Sequence, residues 1–404
     1  MDKGRKSDRL TLGLLLLATS LSTVGDGSIA VLVAPLFEER GLSRSLIGIV
    51  VGAYSVSALV FRVFGGGLLQ GALARVLIPL GSLMSALSFI LLPMFSDPLV
   101  LGAVMALNGL GFALISTGGL VAIMAARAND DSGSLMGWYT GFISVGYSLA
   151  GFTGGAVADR VGLVVGIRWL SLIPLATAIV MAAALHRIPR STLTPPRRDT
   201  ASRGGWARYR RLSPLVWLAF FVTVHINLFA GVLQTFFPLY GLAIGLSLSR
   251  IGALTGVHSG AASFIRFLTP LLFRVVRPRH TQPWMVIAGG LAVAALAGVT
   301  DYGLLLVCWM TIGLTRGVLR VSSSALMMDS SPGDDRGTAS GVYLAGLDVG
   351  RIIGPLVGGV SVQLLGFRGT FLMTGLAIPI VFLVMDRYLS ALDLRRSDSA
   401  SDQE

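Results

Sequence analysis

Nine ionisable side chains sit inside long apolar stretches of this sequence: Asp26, Arg62, His225, His258, Arg266, Arg316, Arg320, Asp348 and Arg351. A charge in hydrocarbon is costly, so by default it faces a cavity or a partner and marks function. A carboxyl group such as Asp26 can carry a proton if its surroundings alternate between dry and wet. Guanidinium groups do a different job. They do not deprotonate, and their planar fork grips carboxylate or phosphate. Arg316 and Arg320 are four apart, share one helix face and repel. Asp348 and Arg351, three apart, can neutralise each other. Even then, one arginine of the tenth span calls for Asp26, or an acidic group on a substrate, as its counterpart. His225 and Asn227 fall in the middle of the seventh span. A lone histidine on an apolar face is more often a packing residue than a proton carrier, and both roles stay open for it.

The elements that must hold these groups are membrane helices. Hydrophobic residues make up 53% of the 404, charged residues only 13%, and the mean hydropathy is +0.77. A soluble protein of this size needs far more polar surface. Twelve apolar spans can be read: 10–37, 45–69, 76–95, 99–126, 135–158, 169–185, 214–240, 251–273, 284–300, 304–328, 337–362 and 370–385. Lipid satisfies no backbone polar group, so each span is expected to be an α-helix. The basic start (Lys3, Arg5, Lys6, Arg9) before a Leu-rich run also has the form of a signal peptide. The apolar stretch continues past Ser20 to Pro35, however, and is read as the first span. Spans 3, 6, 9 and 12 carry no internal charge and are expected to lie outermost, against lipid.

With the N-terminus inside, cytoplasmic segments hold 21 of the 32 Lys and Arg residues. The positive-inside rule then places both termini in the cytoplasm of a plasma (inner) membrane. The net charge of +12 is thus a topology signal and an attraction to anionic lipid. The basic residues are split among loops that flank helices, which argues against nucleic-acid binding.

The chain also repeats itself. Residues 41–68 overlay 245–272 without a gap at an offset of 204, with eleven of 28 positions identical, including Arg62 and Arg266. The same offset lays 130–162 over 334–366, with Asp130-Asp131 on Asp334-Asp335 and Gly154-Gly155 on Gly358-Gly359. Duplicated halves in a membrane chain are typical of secondary transporters. The expected layout is a six-helix half over 1–185, a basic cytoplasmic linker over 186–213, a second six-helix half over 214–386, and a polar cytoplasmic tail over 387–404. The linker combines Pro195-Pro196, Gly204-Gly205 and eight arginines, and Trp206 and Tyr209 within it suit a short segment lying on the membrane surface. The single cysteine, Cys308, excludes a disulfide framework or a thiolate metal cluster.

Three motifs resemble the major facilitator superfamily, over residues 10–385. Asp26-Gly-Ser28-Ile29, with Pro35 nine positions after the aspartate, is similar to the first-helix D-x-T pattern of drug–proton antiporters. Arg62-Val-Phe-Gly65-Gly66-Gly67-Leu68-Leu69-Gln70 resembles the superfamily's loop 2–3 motif, with Gln70 in place of its aspartate and only Arg75 left of its later basic residues. Gly350-x-x-x-Gly354-Pro355-x-x-Gly358-Gly359 matches the antiporter GxxxGPxxGG motif, though in span 11 rather than span 5. The resemblance implies an all-α fold of twelve transmembrane helices in two pseudosymmetric six-helix halves arranged as a parallel repeat.

The motifs also have physical readings of their own. Glycines four apart let helix backbones approach, either to slide or to pack tightly. Pro355 is expected to kink its span. Arg62 and Arg266, near the cytoplasmic ends of spans 2 and 8, are read as snorkelling or pairing with the two aspartate pairs across a cytoplasmic gate. Arg62, Arg75, Arg266, Gly350, Gly354, Pro355, Gly358 and Gly359 thus form the expected gating or packing set. Asp26, His225, Asn227, Arg316, Arg320, Asp348 and Arg351 form the expected substrate or coupling set.

The functional expectation is a secondary active transporter that moves a small organic solute by alternating access. Proton-coupled export of amphipathic compounds leads, from Asp26 and the GP motif; uptake or exchange of an anionic metabolite is the alternative, from the arginines. No Walker motif, HExxH or GxSxG occurs, which speaks against an ATP-driven pump or an intramembrane enzyme. A transport-inactive sensor or scaffold is the reading from another class. The partners implied are the solute, protons as coupling ion and the lipid bilayer, for a monomer with no cofactor and no metal.

Overall fold

The computed structural model describes residues 2–65, 68–69, 71–126, 132–188, 209, 212–275, 278–331 and 336–401. Gln70, both aspartate pairs, Trp206 and most of the linker lie outside the described residues. Among the described residues every regular element is a helix: α1 (Asp2–Glu39), α2 (Arg44–Val60), α3 (Gly71–Leu91), α4 (Pro98–Ala126), α5 (Ser132–Val161), α6 (Leu163–Leu170), α7 (Leu172–His186), α8 (Pro214–Ala243), α9 (Leu248–Val275), α10 (Pro278–Ala295), α11 (Tyr302–Asp329) and α12 (Arg336–Ser401). A π turn, Phe61–Gly65, extends α2 and carries Arg62.

These helices make twelve spans, although length and hydropathy alone pick out nine among the described residues. Three effects account for the difference. The α9 helix carries Arg250, His258, Arg266 and Arg274, and α10 opens on polar residues. The last candidate runs 56 residues, Thr338–Asp393, which would reach about 84 Å at ~1.5 Å per residue, far beyond one bilayer. Gly366, at φ 69° and ψ 177°, breaks it in two. Pro355 stays within helical torsions, and the sharp break falls at the glycine. The α6 and α7 helices together make the sixth span.

The repeat persists at the level of single hydrogen bonds. Among the described residues the glycines with positive φ are Gly41 and Gly162, and their counterparts 204 residues on, Gly245 and Gly366. Gly41 closes α1 in a Schellman turn: its N–H reaches Glu38 O, and Leu42 N reaches Phe37 O. Gly245 and Leu246 close α8 identically, on Leu242 O and Gly241 O. Only glycine takes that left-handed corner without strain. Ser43 then caps α2 through Leu46 N, and Ser247 receives Arg250 N. Asp97 caps α4 as Asp301 caps α11.

The described residues form two compact units, one within 1–200 and 234–260, the other within 201–233 and 261–404. In the first, α1 packs along α5 and α7, and α4 lies against α2 and α3. The α1–α5 crossing is close because its contacts are small. A Cβ on Gly154 would lie 2.5 Å from Ser28 O, and one on Gly27 would lie 2.6 Å from Ala150 Cβ. On α3, Leu73, Val76, Leu80, Leu83, Leu87 and Ile90 stay exposed. Their alternating spacing of three and four makes one apolar stripe, as expected for a helix facing lipid.

The first unit also takes in the end of α8 and the start of α9. Gly151 meets Gly252 and Gly256 backbone to backbone, and Gly155 meets Leu248. Asp159, on the last turn of α5, accepts from Leu248 N at 3.1 Å and Ser249 N at 2.8 Å. These are the first N–H groups of α9, which have no partner within their own helix.

In the second unit α10 packs on α11 and α12. The α8–α12 crossing repeats the glycine device. Gly346 lies against Thr223, Gly350 against Val224 O and Asn227, and Gly354 and Pro355 against Gly231. Arg279 pairs with Asp386 at 3.4 Å and Ser213 donates to Asp393.

Candidate functional site

Asp26 sits midway along α1, half-buried, and each of its carboxylate oxygens receives a phenol. Tyr54 of α2 donates to Oδ1 at 2.6 Å, and Tyr147 of α5 donates to Oδ2 at 2.9 Å. Local packing sets both tyrosines. The Tyr54 ring leans on Phe112 of α4, centroids 6.2 Å apart, and a Cβ on Gly27 would lie 3.0 Å from the Tyr147 ring. One residue on, Ser28 is fully buried, donates to Ala150 O at 3.1 Å and meets Thr153 Oγ1 at 2.7 Å. Two charge-assisted hydrogen bonds hold the carboxylate in place. They also give it a route to neutrality, since a protonated Asp26 can donate where one phenol now does.

Tyr54 and Tyr147 are uncharged, so the cost of charge in an apolar run does not single them out. A mid-span tyrosine hydroxyl is the signal that would have found them, because a buried phenol needs a partner.

The second unit holds the remaining residues of the substrate or coupling set. Gly317 on α11 gives up its side chain to α9: a Cβ there would clash with Ile265 and lie 2.6 Å from Ala262 O. That crossing brings Arg266 and Arg320 within electrostatic reach of each other. Tyr343 of α12 donates to Arg320 O at 3.2 Å and lies 3.3 Å from Ser323 Oγ. Arg351, farther along α12, also acts on Arg320. Arg316 lies one turn before Arg320, with its Nε buried. Asp348 and Arg351 are half-buried, one turn apart on α12.

His225 is buried between the rings of Phe229 and Phe382, at centroid distances of 4.5 and 5.8 Å. Asn227 donates to Thr223 O at 2.8 Å. Among the described residues neither His225 Nδ1 nor Asn227 Oδ1 has a hydrogen-bond partner. Of the gating or packing set, Gly350, Gly354 and Pro355 lie against α8, and Gly358 and Gly359 are buried. Arg75 donates to Ile188 O just past α7, tying α3 to the carbonyl end of that helix. Arg62 lies within electrostatic reach of Tyr139. No group of three or more His, Cys, Asp or Glu comes together to hold a metal among the described residues.

Fold and buried charges together define a multi-pass helical membrane transporter. The Major Facilitator Superfamily matches residues 15–302 and 279–402, and the chain belongs to that family. Multidrug resistance protein 2 of Bacillus subtilis is 22% identical over 393 residues, 93% of this chain and 96% of that protein. The Staphyloferrin B transporter of Staphylococcus aureus is 28% identical over 177 residues, 42% of this chain, and the match spans only 40% of that protein. Among solved structures, the nucleoside transporter NupG superposes with a TM-score of 0.77 at 13% identity, covering 94% of this chain and 98% of the other. A bacterial homolog of the human lysosomal transporter Spinster does so with 0.74 at 14% identity, covering 96% and 97%. At such identities the superpositions speak for the fold alone.

Proposed function

We propose that this chain exports small amphipathic organic solutes across a plasma (inner) membrane in exchange for protons, with both termini cytoplasmic. The halves 1–185 and 214–386, joined by the linker 186–213, rock about a central site in alternating access. The observation that carries the reading is the Asp26 carboxylate held by Tyr54 and Tyr147 in the middle of an apolar helix. Asp26 is the proton carrier. It is charged and clamped in one state and neutral once a proton replaces the hydrogen bond from one phenol. Support comes from the near full-length likeness to a multidrug resistance protein. Arg316, Arg320, Asp348 and Arg351 supply the polar wall in the second half, and His225 and Asn227 belong to the same substrate or coupling set.

The test is flux in proteoliposomes under an imposed pH gradient, with ethidium as cationic probe and carboxyfluorescein as anionic probe. Asp26→Asn should abolish gradient-driven flux of the transported probe while the protein still inserts and folds. Gradient-driven flux equal to the parent's would remove Asp26 from coupling. A second reading, uptake or exchange of an anionic metabolite, is favoured by the four arginines of α9, α11 and α12, and the carboxyfluorescein arm distinguishes its direction.

A further inference from the structure

Two hydrogen-bonded rungs join α1 to α5 in the first unit. The first is the bond from Tyr147 to Asp26 Oδ2 at 2.9 Å. The second lies two residues further along α1, where Ser28 is fully buried. Its hydroxyl is 3.1 Å from Ala150 O and 2.7 Å from Thr153 Oγ1, and Thr153 itself reaches Ala150 O at 3.1 Å. Two hydroxyl protons serve these three gaps. Either hydroxyl can donate to the other, and in both orders a hydrogen bond crosses from α1 to α5.

The rest of this crossing is smooth. Gly27 meets Ala150, and Gly154 meets the Ser28 backbone. Small residues let two helices come close but fix no register along the axis. A slide of two residue rises, ~3 Å, would carry Asp26 out of hydrogen-bond range of Tyr147. The repeat shows what the crossing itself requires. In the second unit Gly231 lies against Gly354 and Pro355, at the positions that match Gly27, Ala150 and Gly151. The counterparts of Ser28 and Thr153 there are Val232 and Val357, and those of Asp26 and Tyr147 are Ala230 and Arg351. Val232 is as fully buried as Ser28. The same backbone crossing thus closes on aliphatic side chains where it has no carboxylate to hold. The hydroxyl pair goes with the acid and its phenol.

We infer that Ser28 and Thr153 are positioning residues for the Asp26 site: their hydroxyls fix the register of α1 on α5, so that the Tyr147 phenol meets the carboxylate. They act through Tyr147, not on the proton or the solute. The inference rests on the reading of Asp26 as proton carrier.

The experiment records infrared difference spectra between acid and alkaline pH on the full chain in proteoliposomes. The carboxyl band of Asp26 is the one that Asp26→Asn removes, and its frequency reports the hydrogen bonds to that group. Gradient-driven flux is measured on the same vesicles. Thr153→Val keeps the shape of the side chain, removes its hydroxyl and copies the second half, so it should insert and fold. The Asp26 band should shift in Thr153→Val and in Ser28→Ala, and return to the parent's position in Thr153→Ser. Flux should fall about three- to tenfold in the first two variants, in keeping with the modest worth of one interhelical hydrogen bond, and recover in the third. In a Tyr147→Phe background Thr153→Val should change neither readout further, because the phenol through which it acts is gone.

A Thr153→Val protein with the parent's band and flux overturns the positioning role. So does an effect that Thr153→Ser fails to restore, or one that is undiminished in the Tyr147→Phe background, which marks general packing. Where Asp26→Asn removes no band, the flux pattern decides by the same criteria. If the band follows the expected pattern while Asp26→Asn transports like the parent, the positioning role stands and the proton-carrier reading falls.

Discussion

Tyr147 donates its phenol to Asp26 Oδ2 over 2.9 Å, and the residue equivalent to Tyr147 in the second half is Arg351. The neighbours of this pair diverge in the same sense. Tyr54, which holds the other carboxylate oxygen, corresponds to His258, and Phe112, which supports Tyr54, corresponds to Arg316. Duplication kept the helix ends and the glycine crossings. It then placed an acid with phenols in one half and bases at the matching positions of the other. An acidic half and a basic half suit a transporter that handles a proton and an acidic solute with separate groups.

The clamp on Asp26 leads to the first prediction. Tyr54→Phe and Tyr147→Phe each remove one hydrogen bond to a charged group, an interaction worth about 1.5–3 kcal/mol. Gradient-driven flux should fall about tenfold or more in each single variant. The double variant should approach Asp26→Asn. Initial rates in proteoliposomes check this, and two single variants with parental rates would show that the phenols do not serve the carboxylate.

Much of this was legible in the residues, and the rest was hidden for definite reasons. The repeated Gly-Leu-Ser at 41–43 and 245–247 encodes a helix stop followed by a helix start, and both halves make that corner with the same hydrogen bonds. Asp26 stood out because charge in an apolar run is costly. Tyr54 and Tyr147 did not, because a phenol is tolerated in lipid-like surroundings and its partner lies on another helix. The proximity of Arg266 to Arg320 depends on how closely α9 and α11 cross at Gly317, and spacing along one helix carries no such information. Nor does it reveal that the start of α9 packs on α5. Those contacts join glycines 101 and 105 residues apart, Gly151 with Gly252 and Gly256.

Glycine substitutions should separate by what their side chain would meet. A Cβ on Gly350 would lie 2.5 Å from Val224 O and 2.9 Å from Asn227 Cβ, both on α8. Gly350→Val should therefore cost about 1–3 kcal/mol through overpacking. Gly102 on α4 has nothing within 4 Å, so Gly102→Ala should be neutral or stabilising by up to about 1 kcal/mol. Melting temperatures in a single detergent compare the two, and equal losses would refute the close α8–α12 crossing.

Asp159 makes a separate, local prediction. Its carboxylate receives the first two N–H groups of α9, where the helix dipole also favours a negative charge. Asp159→Ala should lose about 0.5–2 kcal/mol, the usual range for a helix cap. Asp159→Asn keeps an acceptor oxygen and should recover most of that loss. Thermal unfolding of the two variants decides the matter; equal destabilisation would mean that charge, rather than capping, is what the site requires.

The last prediction concerns Arg316, whose counterpart Phe112 packs against the Asp26 clamp. Its Nε is buried, one turn from Arg320 on α11. If Arg316 grips a carboxylate, whether of the solute or of the protein, the planar fork matters as much as the charge. Lysine keeps the charge and loses the fork. Arg316→Lys should then transport at least tenfold more slowly than the parent, with the loss falling mainly on anionic probes. Competition by citrate against carboxyfluorescein should weaken in parallel. Normal transport by Arg316→Lys, with only cationic or neutral compounds competing, would assign this arginine to the scaffold.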